Sequence, residues 1–427
     1  MMAWALHPAV VMRPEPRALL LFQRQTAELL ELDAQGLDAL RRLLTGHPLR
    51  HWRAWVLRNH LVARRFLRRT SDWLSQAEGE RVWQQAQSLQ APLRSLVAPE
   101  ALHISITQAC DQACSGCFFS APLAKGGMSM PLALFTQIVD QAARVKVFQL
   151  ALGGGEPMTH PDLETMVAYA TERGLLVSMT TNGNHLTPFR ADALRQAGLG
   201  QLQFSLNGAT PEVHSQTRPH YERVRAAIRT AQAAHLRWGL NTLVTRANLS
   251  ALEDLLRLAQ AEGAYSVNIL RPKPAQRGGK WLAESLPSAA DNRFLQTLLR
   301  RWQPRLRITT DSSLAFVRQG TPQAWRYSGV EGCTAGRRIL SIDPSGQVLP
   351  CGHVPIPAQV APGDFMAAWN HDPQLDAFRR LEETLGEPCQ SCVHKSVCRG
   401  CRAVAEALTR DFHAGDPGCP KIFSTLS

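Results

Sequence analysis

Three cysteines in the stretch CDQACSGCF, at 110, 114 and 117, crowd into one loop directly behind the alternating apolar run ALHISIT. No other feature restricts the fold as much. A strand that runs into three thiols with no fourth nearby delivers ligands to a metal and leaves a coordination position open. The remaining seven cysteines lie between 333 and 419, with none from 118 to 332. A chain of 427 residues can bury a core large enough to need no disulfide staples, so thiols in two separate groups point to metal or redox chemistry. Zinc and iron–sulfur both stay open here. Catalytic zinc also draws on imidazole or carboxylate ligands, and no His or Glu falls inside the loop, whereas a cluster held by three cysteines leaves one iron for an external ligand.

From about 100 to 275 apolar strands alternate with amphipathic helices. Strands are expected near 102–107, 147–152, 175–181, 201–206, 239–245 and 265–270, with helical segments such as DLETMVAYATERG and ALEDLLRLAQAEG between them. This alternation argues for parallel βα units, as a partial or closed barrel or as an open doubly wound sheet. Either architecture places chemistry at the C-terminal strand ends, and CDQACSGC, GGGEP, TTNGN and SLNG all follow strands.

Residues 1–46 read as three short strands, AVVM, ALLLF and AELLEL, leading into the helix AQGLDALRRLL. Between 50 and 69 lie seven arginines and no acid, interleaved with Trp52, Trp55, Val56 and Leu61. Either the segment binds nucleic acid, or it is a helix whose apolar side packs inward and whose arginines are solvated. Another helical segment is expected from about 71 to 89. The domains are thus 1–98, a small unit of strands and a helix with a helical linker; 99–275, the βα array; 276–332, a connection; and 333–427, a Cys-, Pro- and Gly-rich segment that needs metal to hold it. No apolar run approaches membrane-spanning length, and the N-terminus lacks a signal peptide's pattern, so a cytoplasmic protein is expected. The net charge of +12 favours an acidic partner.

The C-x3-C-x2-C loop with Phe118 behind it, after the first strand of a βα array and with GGGEP after the second, resembles the radical S-adenosylmethionine (SAM) superfamily. The resemblance implies an α/β fold with a partial (β/α)6 TIM-type barrel, and Cys110, Cys114 and Cys117 as ligands of a [4Fe-4S] cluster whose fourth iron takes SAM. It further implies that Gly154, Gly155 and Glu156 contact the methionine amino group, that Ser205 and Asn207 stand at the ribose, and that Arg218 pairs with the SAM carboxylate. Relatives usually read Asp where Asn207 stands; the amide keeps hydrogen-bonding capacity.

The later cysteines are similar to the SPASM extension, which carries two auxiliary iron–sulfur clusters. They read Cys333, Cys351, then Cys389-x2-Cys392-x5-Cys398-x2-Cys401, then Cys419, where the usual third gap is x3. Three four-iron clusters offer about twelve iron positions, and the chain has ten cysteines. By resemblance Cys389, Cys392, Cys398 and Cys419 ligate the distal cluster, while Cys333, Cys351 and Cys401 leave the nearer one an open iron for a substrate thiolate, His353, Asp343 or another ligand. Clusters of the [2Fe-2S] type remain an alternative. Relatives that mature sulfatases carry Asp directly after the second SPASM cysteine, where this chain has Gly352, so that activity is not expected. His353 is the one candidate base, or an ordinary half-buried histidine.

The N-terminal segment resembles the PqqD-like precursor-recognition element, a winged-helix-like fold to whose sheet edge a leader peptide adds as a strand. The three resemblances together imply an enzyme that modifies a ribosomally made precursor peptide by 5′-deoxyadenosyl-radical hydrogen abstraction. Its electron donor would be a flavodoxin or ferredoxin. Neither a membrane nor nucleic acid is the expected partner. A radical SAM enzyme acting on another protein or a small molecule is the alternative.

Overall fold

The computed structural model describes residues 3–16, 18–71, 75–92, 94–117, 119, 127–274, 279–318, 320–323 and 331–420. Phe118 lies outside them. Two compact units are present, Met1–Glu100 with Ala142–Phe148, and Ala101–Gln141 with Gln149–Ser427.

In the first unit β2 (Val10–Glu15), β3 (Ala18–Gln23) and β4 (Glu28–Leu32) form an antiparallel meander, followed by α1 (Ala34–Leu44). These are the three strands and helix expected from the sequence. Helix α1 begins where the Asp33 carboxylate accepts a hydrogen bond from Gly36 N at 2.8 Å, a cap worth about 1 kcal/mol. It buries Leu37, Leu40 and Leu43 against Leu19 and Leu21 of β3. The opposite face of β3 is covered as well, with Phe22 stacked on Phe148 at 5.1 Å between ring centroids. An additional strand, β1 (Ala3–Leu6), pairs with β5 (Leu67–Thr70). Between β4 and β5 lies helix α2 (Trp52–Ala63), and of the two readings open for it the inward-packed one does not hold, because its aromatics do not pack inward. It buries only Ala54 and Leu61, while Trp52 and Trp55 are 70% and 49% exposed, with Arg53 and Arg58 stacked over them. Helix α3 (Gln76–Ser88) starts at a Ser75–Glu78 capping box.

In the second unit one sheet runs in the order β12-β11-β10-β9-β8-β7-β6-β13-β14. Strands β6 (Ala101–Thr107), β7 (Gln149–Gly154), β8 (Leu176–Thr181), β9 (Gln201–Ser205), β10 (Trp238–Leu243) and β11 (Val267–Leu270) are parallel neighbours in chain order. They are the six strands of the expected partial barrel. Residues 276–332 contribute α4 (Gly279–Ser285), α5 (Ala289–Trp302) and a further parallel strand, β12 (Ile308–Thr310). On the other edge, β13 (Ile339–Ile342) runs parallel to β6 and turns back into β14 (Val348–Leu349).

Alternation within these strands makes a two-faced sheet. Leu102, Ile104, Leu150, Leu152, Val177, Leu202, Phe204 and Leu240 are buried on one face, and the intervening positions carry Ser105, Ser178, Thr180, Gln203, Asn241 and Asn268. The polar side chains bond to one another across the strands: Asn241 Nδ2 donates to Thr180 Oγ1 and Asn268 Nδ2 to Asn241 Oδ1, each at 2.8 Å. A polar inner face therefore lies beside strand ends that carry the cysteine loop. Among the described residues no helix is long and apolar enough to cross a membrane.

Candidate active site

The cysteine loop leaves β6 at Thr107 and is tied to β7 by backbone bonds, Gly155 N to Thr107 O and Glu156 N to Ala109 O, each at 2.8 Å. This approach is too close for side chains. Gly154 has φ +120°, and a Cβ there would stand 2.3 Å from Thr107 O, while one on Gly155 would stand 2.1 Å from Ala109 O. Glu156 is 1% exposed, and its carboxylate accepts from Thr181 Oγ1 and Asn182 N at 2.7 Å and from Met158 N at 3.1 Å. Burial still raises its pKa above the usual carboxylate range against those three bonds. Its carboxyl ties the end of β8 to the turn that follows β7.

Asp111 strengthens the same junction. It accepts from Asn182 Nδ2 and Asn184 Nδ2, both at 2.7 Å, with His185 Nε2 at 3.1 Å. On the other side of the loop, Ser115 N and Oγ both lie 3.3 Å from Thr217 O, so Arg218 directly follows a residue that touches the loop. The buried Nε of Arg218 has no partner among the described residues. Asn207 donates to Thr217 Oγ1 at 2.7 Å and accepts from Leu243 N at 2.9 Å, which leaves its amide one further donor and one acceptor site. Ser205 ends β9 on the same strand-end rim. All six residues assigned to SAM by resemblance thus lie at the ends of β7 and β9 or beside the loop.

Trp281 was not anticipated. Its ring covers Gly116 so closely that a Cβ there would meet Trp281 Cζ2 at 2.3 Å. Gly116→Ala introduces overpacking of about 1–3 kcal/mol at the loop. Iron at this site and SAM cleavage are both expected to fall roughly tenfold or more, with recovery in the Gly116→Ala/Trp281→Ala double variant. Normal iron loading of the single variant would show that the loop tolerates the shift.

All ten cysteines are thiols outside any disulfide. Burial pushes Cys110 up to about 11, with the charges of Glu156 and Asp111 adding to it, and pushes Cys351 and Cys398 up to about 12. Such thiols stay protonated until a metal cation takes the proton's place. Cys389, Cys392, Cys398 and Cys419 line one cavity together with Phe316, Leu385 and Asp416. Cys401 does not line it; Cys401 is buried in a separate apolar cluster against which Cys333 and Cys351 pack, and these three make the second group. Among the described residues no three His, Cys, Asp or Glu side chains converge on a single-ion site; a cluster asks instead for one thiolate per iron.

Around the second group stand residues the cysteine spacing could not reveal. Lys273 forms an ion pair with Asp311 and donates to Ser313 Oγ at 2.6 Å. Arg271 makes paired bonds to Asp416 at 2.6 and 2.7 Å, and Asp416 Oδ2 also accepts from Cys401 N at 2.7 Å. Arg271 and Lys273 directly follow β11 and Asp311 follows β12, so the rule that chemistry sits at strand C-termini is the signal that reaches them. Burial and the charge of Lys273 push His353 down to about 3, partly offset by Asp311, which makes it a weak base. Asp343 is taken up in the β13–β14 turn, accepting from Ser345 N, Ser345 Oγ and Gln347 N.

A partial βα barrel with a three-thiol loop at its first strand end, followed by a segment with two further thiol groups, defines a metallo-cluster enzyme. Residues 104–259 match the radical SAM superfamily, and residues 333–393 match the SPASM iron-sulfur cluster-binding domain. The chain is 33% identical over 345 residues to the mycofactocin maturase MftC of Mycolicibacterium smegmatis, spanning 76% of this chain and 84% of that one. It is 28% identical over 342 residues to the AdoMet-dependent heme synthase of Methanosarcina barkeri, spanning 75% and 96%. Streptococcus suis SuiB has a similar fold: its complex with S-adenosylmethionine superposes with TM-score 0.73 at 18% identity, covering 97% of this chain and 99% of that one. SuiB bound to the precursor peptide SuiA gives TM-score 0.72 at 16% identity, covering 98% and 100%. The chain belongs to the radical SAM superfamily, as a SPASM-containing enzyme related to the peptide maturases. The cofactors of this class are SAM, a [4Fe-4S] cluster and SPASM iron–sulfur clusters.

Proposed function

We propose that the protein modifies a ribosomally made precursor peptide by radical hydrogen abstraction. The observation that carries this reading is the first unit, a small antiparallel sheet with helices whose edge strand β4 has no strand partner on one side among the described residues. A peptide adding there as a strand would gain main-chain hydrogen bonds and high effective concentration at the barrel. SuiB, whose fold this chain shares nearly end to end, has been solved bound to the precursor peptide SuiA. A small-molecule reading is favoured by the heme synthase relative, whose match spans 75% of this chain.

Cys110, Cys114 and Cys117 would hold the radical cluster, and reductive cleavage of SAM there supplies the hydrogen-abstracting 5′-deoxyadenosyl radical, with electrons from a flavodoxin or ferredoxin. Gly154, Gly155 and Glu156 would contact the SAM amino group, Ser205 and Asn207, which keeps one free amide donor, would hold the ribose, and Arg218 would pair with the SAM carboxylate. Cys389, Cys392, Cys398 and Cys419 would ligate the distal auxiliary cluster and Cys333, Cys351 and Cys401 the nearer one. Arg218→Gln removes a charge-assisted hydrogen bond of about 1.5–3 kcal/mol. The KM for SAM should rise roughly ten- to hundredfold with iron content unchanged; an unchanged KM would remove Arg218 from the SAM site. The substrate reading is tested by searching the gene's neighbourhood for a short reading frame and adding any peptide it encodes to the reconstituted enzyme. Stimulated 5′-deoxyadenosine formation and an altered peptide mass are expected. An unaltered peptide in the presence of active enzyme would count against it.

A further inference from the structure

Arg402 opens the helix Arg402–Thr409, one residue after Cys401, and is 1% exposed. Its Nη1 donates to Phe412 O and Ala414 O, both at 2.8 Å, on the chain that leads to Cys419. The buried Nε and Nη2 have no partner among the described residues. Every other buried arginine among the described residues has a carboxylate: Arg13 has Glu15, Arg42 has Asp38, Arg271 has Asp416, Arg379 has Asp376 and Arg399 has Glu331. Arg402 has none among the described residues. A desolvated cation with idle donors is costly unless an anion meets it.

The location of the idle donors indicates which anion. A Cβ on Gly400 would stand 2.7 Å from Arg402 Nη2, and Gly400 lines the cavity ringed by Cys389, Cys392, Cys398 and Cys419. The guanidinium also lies near enough to the Cys389 thiol to act on it electrostatically. The Asp416 carboxylate, beside the same cavity, is already occupied by Arg271, Cys401 N and Gly418 N. An iron–sulfur cluster with four thiolates is an anion whose sulfurs accept hydrogen bonds, and those bonds and the surrounding charge set its potential.

We propose that Arg402 is a positioning residue for the distal cluster, donating its Nε and Nη2 hydrogens to cluster or Cys389 sulfur and thereby holding that cluster at a raised reduction potential. This rests on the ligand assignment proposed above. The test uses full-length protein carrying Cys110→Ala, Cys114→Ala and Cys117→Ala, so that only auxiliary clusters remain, with EPR-monitored redox titration and iron analysis. Arg402→Gln should keep auxiliary iron and make one cluster roughly tenfold harder to reduce, a fall of about 59 mV for a one-electron couple. Arg402→Lys, which keeps the charge and loses the fork, should shift the same cluster less and in the same direction. Unchanged potentials in either iron-loaded variant would overturn the proposal, as would loss of the iron from both, which would make Arg402 a folding element held by its Nη1 bonds. Cys389→Ser separates the underlying assignment. If it alters no cluster signal, the ligand reading fails, whereas an altered signal with unshifted Arg402 variants defeats the present inference alone.

Discussion

Replacing Cys110, Cys114 and Cys117 together by alanine is expected to abolish SAM cleavage and to remove about four irons per chain, leaving about eight. The loss should be complete because the three thiols share one loop and no fourth protein thiol lies within it. The protein should stay folded. The strands on either side of the loop are held by Gly155 N to Thr107 O and by the Glu156 carboxylate, and neither depends on a thiol. Iron analysis and 5′-deoxyadenosine assay on anaerobically reconstituted protein check this. Residual SAM cleavage, or zinc in place of the missing iron, would mean that the loop is not the radical site.

Asp416→Asn is expected to cost about 3–5 kcal/mol of stability, because it leaves the buried Arg271 charge uncompensated. Both side chains are 1% exposed, and the pair joins the end of β11 to the chain that carries Cys419. The same carboxylate accepts from Cys401 N and Gly418 N, so both auxiliary thiol groups should loosen together. A lowered melting temperature with loss of auxiliary iron is the expected result; unchanged iron content would show that the pair is dispensable to the cluster segment. The pH dependence has a definite sign. Burial alone would raise the Asp416 carboxyl, but Arg271 and the two backbone N–H groups overcome burial and hold it below the usual carboxylate range. Its stabilisation is therefore fully present above the unfolded carboxylate pKa and is lost as pH falls through the depressed folded value. Acid titration of the wild type, compared with Asp416→Asn, reads this directly.

How much of this was legible in the sequence followed from the range of the interactions. Strands β6 to β11 stood out because helices bury one face of each, and the apolar-polar alternation records that burial residue by residue. Strand β1 did not, since its partner β5 lies about sixty residues on, beyond any local pattern. Strand β12 has three residues, too few for a period to show. The thiols were visible from spacing alone, and Gly154 and Gly155 from their motif. Lys273, Asp311, Trp281 and Arg402 were not, because counter-charges, a covering ring and an idle guanidinium are defined by what the fold brings near them. Helix α2 could not be decided from sequence: interleaved aromatics fit either an inward face or an exposed one, and Trp52 and Trp55 stack with arginines at the surface.

The most direct test of the account is hydrogen transfer from the peptide itself. The reconstituted enzyme would be given SAM, reductant and a uniformly deuterated candidate precursor peptide, translated from any short reading frame found beside its gene, and the 5′-deoxyadenosine produced would be weighed by mass spectrometry. Deuterium in the 5′-deoxyadenosine, absent with the Cys110→Ala/Cys114→Ala/Cys117→Ala variant, is the predicted result. SAM cleavage that yields only unlabelled 5′-deoxyadenosine would contradict a peptide substrate and leave the heme-synthase-like, small-molecule reading in its place.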